Sequence, residues 1–152
     1  MATRVHFSDT PCVPLEPRVY KQDNGLKPNG LWYSVEGNGD GWSDWCETER
    51  FRDTASQIAY EIRVDYTRMA VIHSVDELRA FERQWAASWA NLSPILSNAY
   101  INWPGVAAEY SGVEIPRHLW SARFESLWYS GWDCACGVVW DIIAILSFEE
   151  TR

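Results

Sequence analysis

Apolar and polar positions alternate first over "TRVHFSD". Val5 and Phe7 fall on one face and Arg4, His6 and Ser8 on the other, and this period of two predicts a short strand. Pro11, Pro14 and Pro17 hold residues 9–29 as irregular chain, because proline lacks the amide hydrogen that helix and ladder require. "GLWYSVE" predicts a second strand. Asp44 with Glu47 three residues on has the spacing of a helix cap and predicts a helix over residues 45–55. "IAYEIRVD" puts Ile58, Tyr60, Ile62 and Val64 on one face of a third strand, and "MAVIHS" is expected to pair with it antiparallel. Ser74 and Glu77 then form a capping box. Leu78, Phe81, Trp85 and Trp89 recur behind it at helical spacing, predicting a helix over 75–90.

In the second half, "NWPGVAAEYSG" reads as a short helix capped by Asn102 and stopped by Gly112. "VEI" is a brief strand. "PRHLWSARFESLWY" predicts a helix beginning at Pro116, and "CGVVWDIIAILSF" a closing strand buried on both faces. No repeat, low-complexity tract or linker divides the chain, so residues 1–152 are expected to form a single domain. The order β, β, α, β, β, α, α, β, α, β predicts an α+β fold with a mixed, mainly antiparallel sheet and several short helices.

Composition sharpens this picture. Hydrophobic residues make up 47% of the chain, which suits a packed globule. Ten tryptophans are a surplus, and each buried indole N–H wants a partner, so the set serves either a mixed polar-aromatic core or a ring-stacking pocket. The segment "LKPNGLWYSVEGNGDGWSDWC" concentrates three of them beside four glycines. A net charge of −8 disfavours a phosphate-backbone binder, so no direct nucleic-acid contact is expected. It leaves a soluble cytoplasmic protein or an acidic one that mimics nucleic acid. The longest apolar run, "CGVVWDIIAIL", is interrupted by Asp141 and is too short to span a bilayer, and no secretion signal opens the chain. Cys12, Cys46, Cys134 and Cys136 are expected as reduced thiols; Cys134-Ala-Cys136 lacks zinc-knuckle spacing, and no metal is expected. Nothing in the pattern specifies an oligomeric state.

Several residues are candidates for chemistry. His6 lies on the polar face of the first strand, where it serves either an active site or a strand-end hydrogen bond. His73, ahead of a helix cap, reads as structural, and His118, in the first turn of a helix, is expected at the surface. For a Cys–His nucleophilic pair, Cys46 at a helix start is the best-placed thiol, but the sequence brings no histidine to it. "GNGDG" has neither the spacing nor the Lys-Ser of a phosphate loop and reads as a turn whose Asn and Asp accept positive φ. Glu114, Asp133 and Asp141 are the carboxylates in apolar surroundings; bonding to backbone is the ordinary fate of each. Glu149 and Glu150 are a solvated tail.

Taken together, "VHFSD", "KPNGLWYS" and "WYSGWDCACGVVW" resemble a group of uncharacterised bacterial and phage proteins that share Lys-Pro-x-Gly-Leu-Trp-x-Ser and Trp-Asp. The first two segments resemble, more distantly, the ADP-ribosyltransferase-like superfamily. That resemblance implies a split sheet and NAD as the substrate, used to modify a macromolecular target or cleaved outright. His6 would meet the ribose or diphosphate, and Tyr33 or Ser34, on opposite faces of one strand, would point at the nicotinamide. Trp32 and Gly30 would contact the cofactor. Asp133, with Glu114 in reserve, would be the acid that stabilises the positive ribose as the glycosidic bond breaks. The glycine loop would close over the ring or admit the acceptor. The alternative function is a non-catalytic, acidic, phage-type inhibitor that binds a host nucleic-acid-handling or defence protein.

Overall fold

A computed structural model describes residues 2–12, 15–87 and 100–152. Its strands are β1 (Thr3–Ser8), β2 (Leu31–Glu36), β3 (Ile58–Val64), β4 (Met69–Val71), β5 (Gly112–Ile115), β6 (Cys136–Val139) and β7 (Ile145–Glu150). The helices among the described residues are α1 (Trp42–Glu49), α2 (Val75–Trp85) and α3 (Trp103–Glu109). All seven strands form one sheet in the order β4-β5-β6-β2-β1-β3-β7. The β4–β5 pair is parallel and the other pairs are antiparallel. The expected α+β fold with a mixed, mainly antiparallel sheet is therefore present.

The sheet cannot be flat. Val64 ends β3 and Met69 begins β4, so the chain between them spans at most about 18 Å. These strands stand five places apart in the sheet, which in a flat array is about 24 Å. The sheet curls until its ends approach, and Met69 joins Ile62, Val64, Val139 and Ala144 in one small core on the inner face. A larger core packs α2 and α3 on the other face, where Trp103, Trp128, Trp132 and Trp140 are fully buried.

Several helix boundaries follow from side-chain caps. Ser74 accepts from Glu77 N–H and starts α2, while the Glu77 carboxylate takes His73 N–H. Asn102 accepts from Gly105 N–H and starts α3. Helix α1 begins three residues earlier than expected, because Gly41 is the N-cap and Asp44 sits at N3, accepting Gly41 N–H. It ends at Arg50, whose left-handed φ of 52° turns the chain. The tail of the helix expected over 75–90, with Trp89, lies outside the described residues.

Four expectations are corrected. Strand β4 does not pair with β3; it lies parallel to β5 at the far edge of the sheet. Residues 116–130 form no α-helix but a loop with short 3₁₀ turns at Ala122–Phe124 and Leu127–Tyr129. Tyr129 hydroxyl accepts Leu119 N–H and His118 bonds the Trp132 carbonyl, ties that fold this segment back on itself. The closing apolar run is two strands, because Asp141 accepts from Ile143 N–H and breaks the run with a turn. In the glycine loop, Gly37 and Gly39 take positive φ, rather than Asn38 or Asp40.

Candidate functional site

The pairing of β1 with β2 runs from Thr3–Glu36 to Val5–Ser34 and then stops. Beyond that point β1 continues on β3 as far as Ser8, and β2 continues on β6 as far as Leu31. The two strands part, and a cavity of about 290 Å³ opens in the fork. Val5, His6 and Phe7 line it from one prong, and Trp32, Tyr33 and Ser34 from the other.

His6 stands at the point of divergence. Its Nδ1 lies 2.6 Å from the Trp32 carbonyl, across the gap where ladder bonds have ceased. A carbonyl only accepts, so Nδ1 carries the proton and Nε2 presents a lone pair. Burial lowers the His6 pKa, and the Trp32 hydrogen bond partly opposes this. Tyr60 and Phe148, whose rings stack 4.5 Å apart, flank the imidazole. The base is therefore neutral and held in one tautomer.

The walls are aromatic. Trp32 meets Trp132 edge to face at 4.9 Å, and Trp42 stacks on Trp45 at 5.1 Å. Trp42 is positioned by the start of α1: its N–H donates to Ser34 Oγ at 2.7 Å, and Ser34 and Ser43 both donate to Glu36. Lys27 Nζ stands 5.5 Å from the Trp32 ring. A side chain at Gly131 would meet Lys27 Cε at 3.0 Å, so this glycine gives the lysine its room. Arg52 also borders the cavity and is paired with Asp9 at 2.9 Å. Among the described lining residues Asp133 is the one carboxylate; it lies 3.7 Å from Arg123.

Two buried polar atoms on these walls lack partners. Gln57, 8% exposed, donates its Nε2 to Asp9 while its Oε1 meets nothing. Trp132, 1% exposed, has an unbonded indole N–H. Both atoms are themselves enclosed, so a ligand in the cavity meets them only if the wall side chains shift.

Of the residues singled out in the sequence, His6, Trp32, Tyr33, Ser34 and Asp133 all border this cavity. Gly30 does not. Its missing Cβ would sit 2.5 Å from the Val139 carbonyl, so it serves close approach of the chain to β6. The Tyr33 hydroxyl is committed elsewhere, donating to Glu114 at 2.9 Å. Glu114 is buried and also receives both Arg4 nitrogens and the Tyr66 hydroxyl, which makes it a structural acid. Burial and the Glu114 charge push the Tyr33 and Tyr66 hydroxyls up, so both stay protonated donors.

His118, expected at the surface, is buried between Tyr129 and Trp120, with Nε2 at 2.6 Å from the Trp132 carbonyl. In the glycine loop Asp40 accepts from Arg117 and His118, its carbonyl takes Ala135 N–H, and none of residues 37–41 lines the cavity. Sequence reasoning missed Gln57, Lys27 and Trp132. Lys27 and Trp132 had a signal, Lys27 as the first residue of "KPNGLWYS" and Trp132 as the neighbour of Asp133 in "WYSGWDCACGVVW", whereas Gln57 had none.

All four cysteines are reduced. Cys46 is buried, its thiol pKa raised by desolvation, and no histidine reaches it. Among the described residues no cluster of His, Cys, Asp and Glu could hold a metal, and no helix is long and apolar enough to cross a membrane. Comparison with family models, curated proteins and solved structures finds no match to this chain.

Proposed function

We propose that this chain is an ADP-ribosyltransferase-like protein that binds NAD in the fork between β1 and β2 and transfers ADP-ribose to a macromolecular target or to water. The observation that carries this reading is the convergence on one cavity of His6, three tryptophans and a lone carboxylate, Asp133. The ladder between β1 and β2 ends at Val5 and Ser34 within one continuous sheet, and this reading seats the nicotinamide end in the local fork beyond that point.

The residues present fit the nicotinamide-ribose end of the dinucleotide. Trp32, Trp42 and Trp132 offer faces and edges for a flat ring. The unpaired Gln57 Oε1 and Trp132 N–H match the donor and acceptor of a carboxamide. Lys27 and Arg52 are the cations available to a diphosphate. Breaking the ring–ribose bond leaves positive charge at the anomeric carbon, and Asp133 provides the opposite charge. His6 Nε2, 3.8 Å from Cys12 Sγ, is the nitrogen that can accept from a ribose hydroxyl, its other nitrogen being held by Trp32. Tyr33 and Ser34, both hydrogen-bonded within the fold, shape the cavity rather than react.

The test is incubation with NAD labelled in the ADP-ribose moiety, with and without cell lysate, beside His6→Ala and Asp133→Asn. Nicotinamide release or label transfer above both variants is the expected result. No release, no transfer and no change in tryptophan fluorescence on adding NAD would overturn the reading.

A second reading, the acidic inhibitor that binds a host protein, is favoured by one patch. Trp120, Phe124 and Leu127 are 55%, 85% and 51% exposed, and Arg123 lies over the first two rings. Exposed aromatics around an arginine are typical of protein contact surfaces. In that case Trp120→Ala and Phe124→Ala abolish complex formation while the fork variants leave it unchanged.

A further inference from the structure

The turn that follows β1 brings a second reactive group to His6. After Ser8 the chain reverses: Ser8 Oγ donates to the Thr10 carbonyl at 2.6 Å and accepts Thr10 N–H at 3.2 Å. Cys12 N–H then donates to the Tyr60 hydroxyl at 3.0 Å, fixing the backbone of Cys12. This places Cys12 Sγ 3.8 Å from His6 Nε2, within reach of a sulfur hydrogen bond. The same thiol also has Ser8 Oγ at 3.2 Å and the Thr10 carbonyl at 3.5 Å as acceptors for its hydrogen.

We propose that Cys12 is a nucleophilic thiol with His6 as its base, a site for covalent reaction with small carbon electrophiles that reach the turn after β1. The tautomer argument supplies the base: Nδ1 holds its proton against the Trp32 carbonyl, so Nε2 faces the thiol as an acceptor. The Ser8 hydroxyl, next to the sulfur, can turn its hydrogen onto a thiolate. Cys12 is half-buried, whereas Cys46, Cys134 and Cys136 are buried.

With iodoacetamide, Sγ forms a bond to the methylene carbon and the carbon–iodine bond breaks. Iodide leaves with the bonding pair, and the thiol proton passes to His6 Nε2.

The experiment treats the intact protein with iodoacetamide at neutral pH and follows each cysteine by peptide mass spectrometry. Cys12 is expected to be carbamidomethylated first, and His6→Gln to slow it at least about tenfold. An unchanged rate in a folded His6→Gln protein would overturn the proposal, since exposure alone would then explain the labelling. Should that variant not fold, the comparison is with a synthetic peptide of residues 8–16, which has the same covalent neighbours without the imidazole. Faster reaction of Cys12 in the protein than in the peptide supports the proposal, and equal or slower reaction refutes it. Neither arm contains NAD, so the outcome is independent of the function proposed above.

Discussion

The first two strands make two very different places within a few residues of each other. Where β1 and β2 are still paired, Arg4 and Tyr33 reach Glu114. The carboxylate is 1% exposed and receives four hydrogen bonds, from two arginine nitrogens and two tyrosine hydroxyls. Two residues further along β1, where the ladder has ended, His6 bridges the gap with one bond to a carbonyl, and a cavity opens beside it. On its walls Gln57 Oε1 and the Trp132 N–H are buried without partners. The first region spends every polar group on holding the fold. The second carries unsatisfied ones at a cost in stability, a feature it shares with Asp40, Trp103 and His118 elsewhere in the fold.

The largest expected effect comes from breaking the closed region. Arg4→Ala removes both charged donors from a buried carboxylate and should cost about 3–5 kcal/mol in urea unfolding. Asp133→Asn, on the cavity wall, should stay within about 0.5 kcal/mol of the parent. Equal losses for the two variants would erase the division between a region that holds the fold and one that does not. The same Asp133→Asn protein gives the next largest effect, now on activity. Nicotinamide release should fall about 100-fold, a loss of about 2.7 kcal/mol in transition-state stabilisation, with the unfolding midpoint unmoved.

These two regions were unequally legible in the sequence. Alternation in "TRVHFSD" and the strand-forming residues of "GLWYSVE" placed both strands, and the Ser74 and Asn102 caps placed two helices, because such signals are local. Glu114 was visible as an acid in apolar surroundings, but its ring of donors was not: Arg4 and Tyr33 lie 110 and 81 residues away in sequence. The parallel pairing of β4 with β5 was hidden for the same reason. The 116–130 segment has helical residue types, yet its ties from Tyr129 and His118 are tertiary and override propensity. At the fork, His6, Trp32 and Asp133 were named from motif residues, whereas Gln57 carried no signal. Cys46 was singled out as the thiol to watch on its helix position alone, while the turn at Ser8–Thr10 delivers Cys12 to the imidazole instead.

A smaller effect sharpens the role of the unpaired atoms. Gln57→Leu removes an acceptor that nothing in the fold uses, along with one bond to the exposed Asp9. Unfolding free energy should change by less than about 1 kcal/mol, since the lost bond and the relieved orphan offset each other. Affinity for nicotinamide, measured by tryptophan fluorescence, should drop about tenfold, one hydrogen bond's worth. A large loss of stability with unchanged affinity would move Gln57 into the structural class with Glu114.

The smallest effect is a slope with pH. His6 is held neutral by burial against Tyr60 and Phe148, so its folded pKa lies below the ordinary 6.5. Between the two values the unfolded chain binds more protons than the folded one, and stability therefore rises with pH through that window. The contribution is complete above about pH 6.5 and is lost as the pH falls through the folded pKa. His118 is lowered in the same direction, first by burial and less by Arg123, so it adds a second slope of the same sign. His6→Gln should flatten the dependence of the unfolding midpoint between neutral and mildly acid pH without abolishing it. The residual slope belongs to His118 and should vanish in the double variant with His118→Gln. A wild-type midpoint that is flat across this interval would mean that the fork admits water freely enough to solvate an imidazolium, which a cavity walled by tryptophan, phenylalanine and tyrosine should not do.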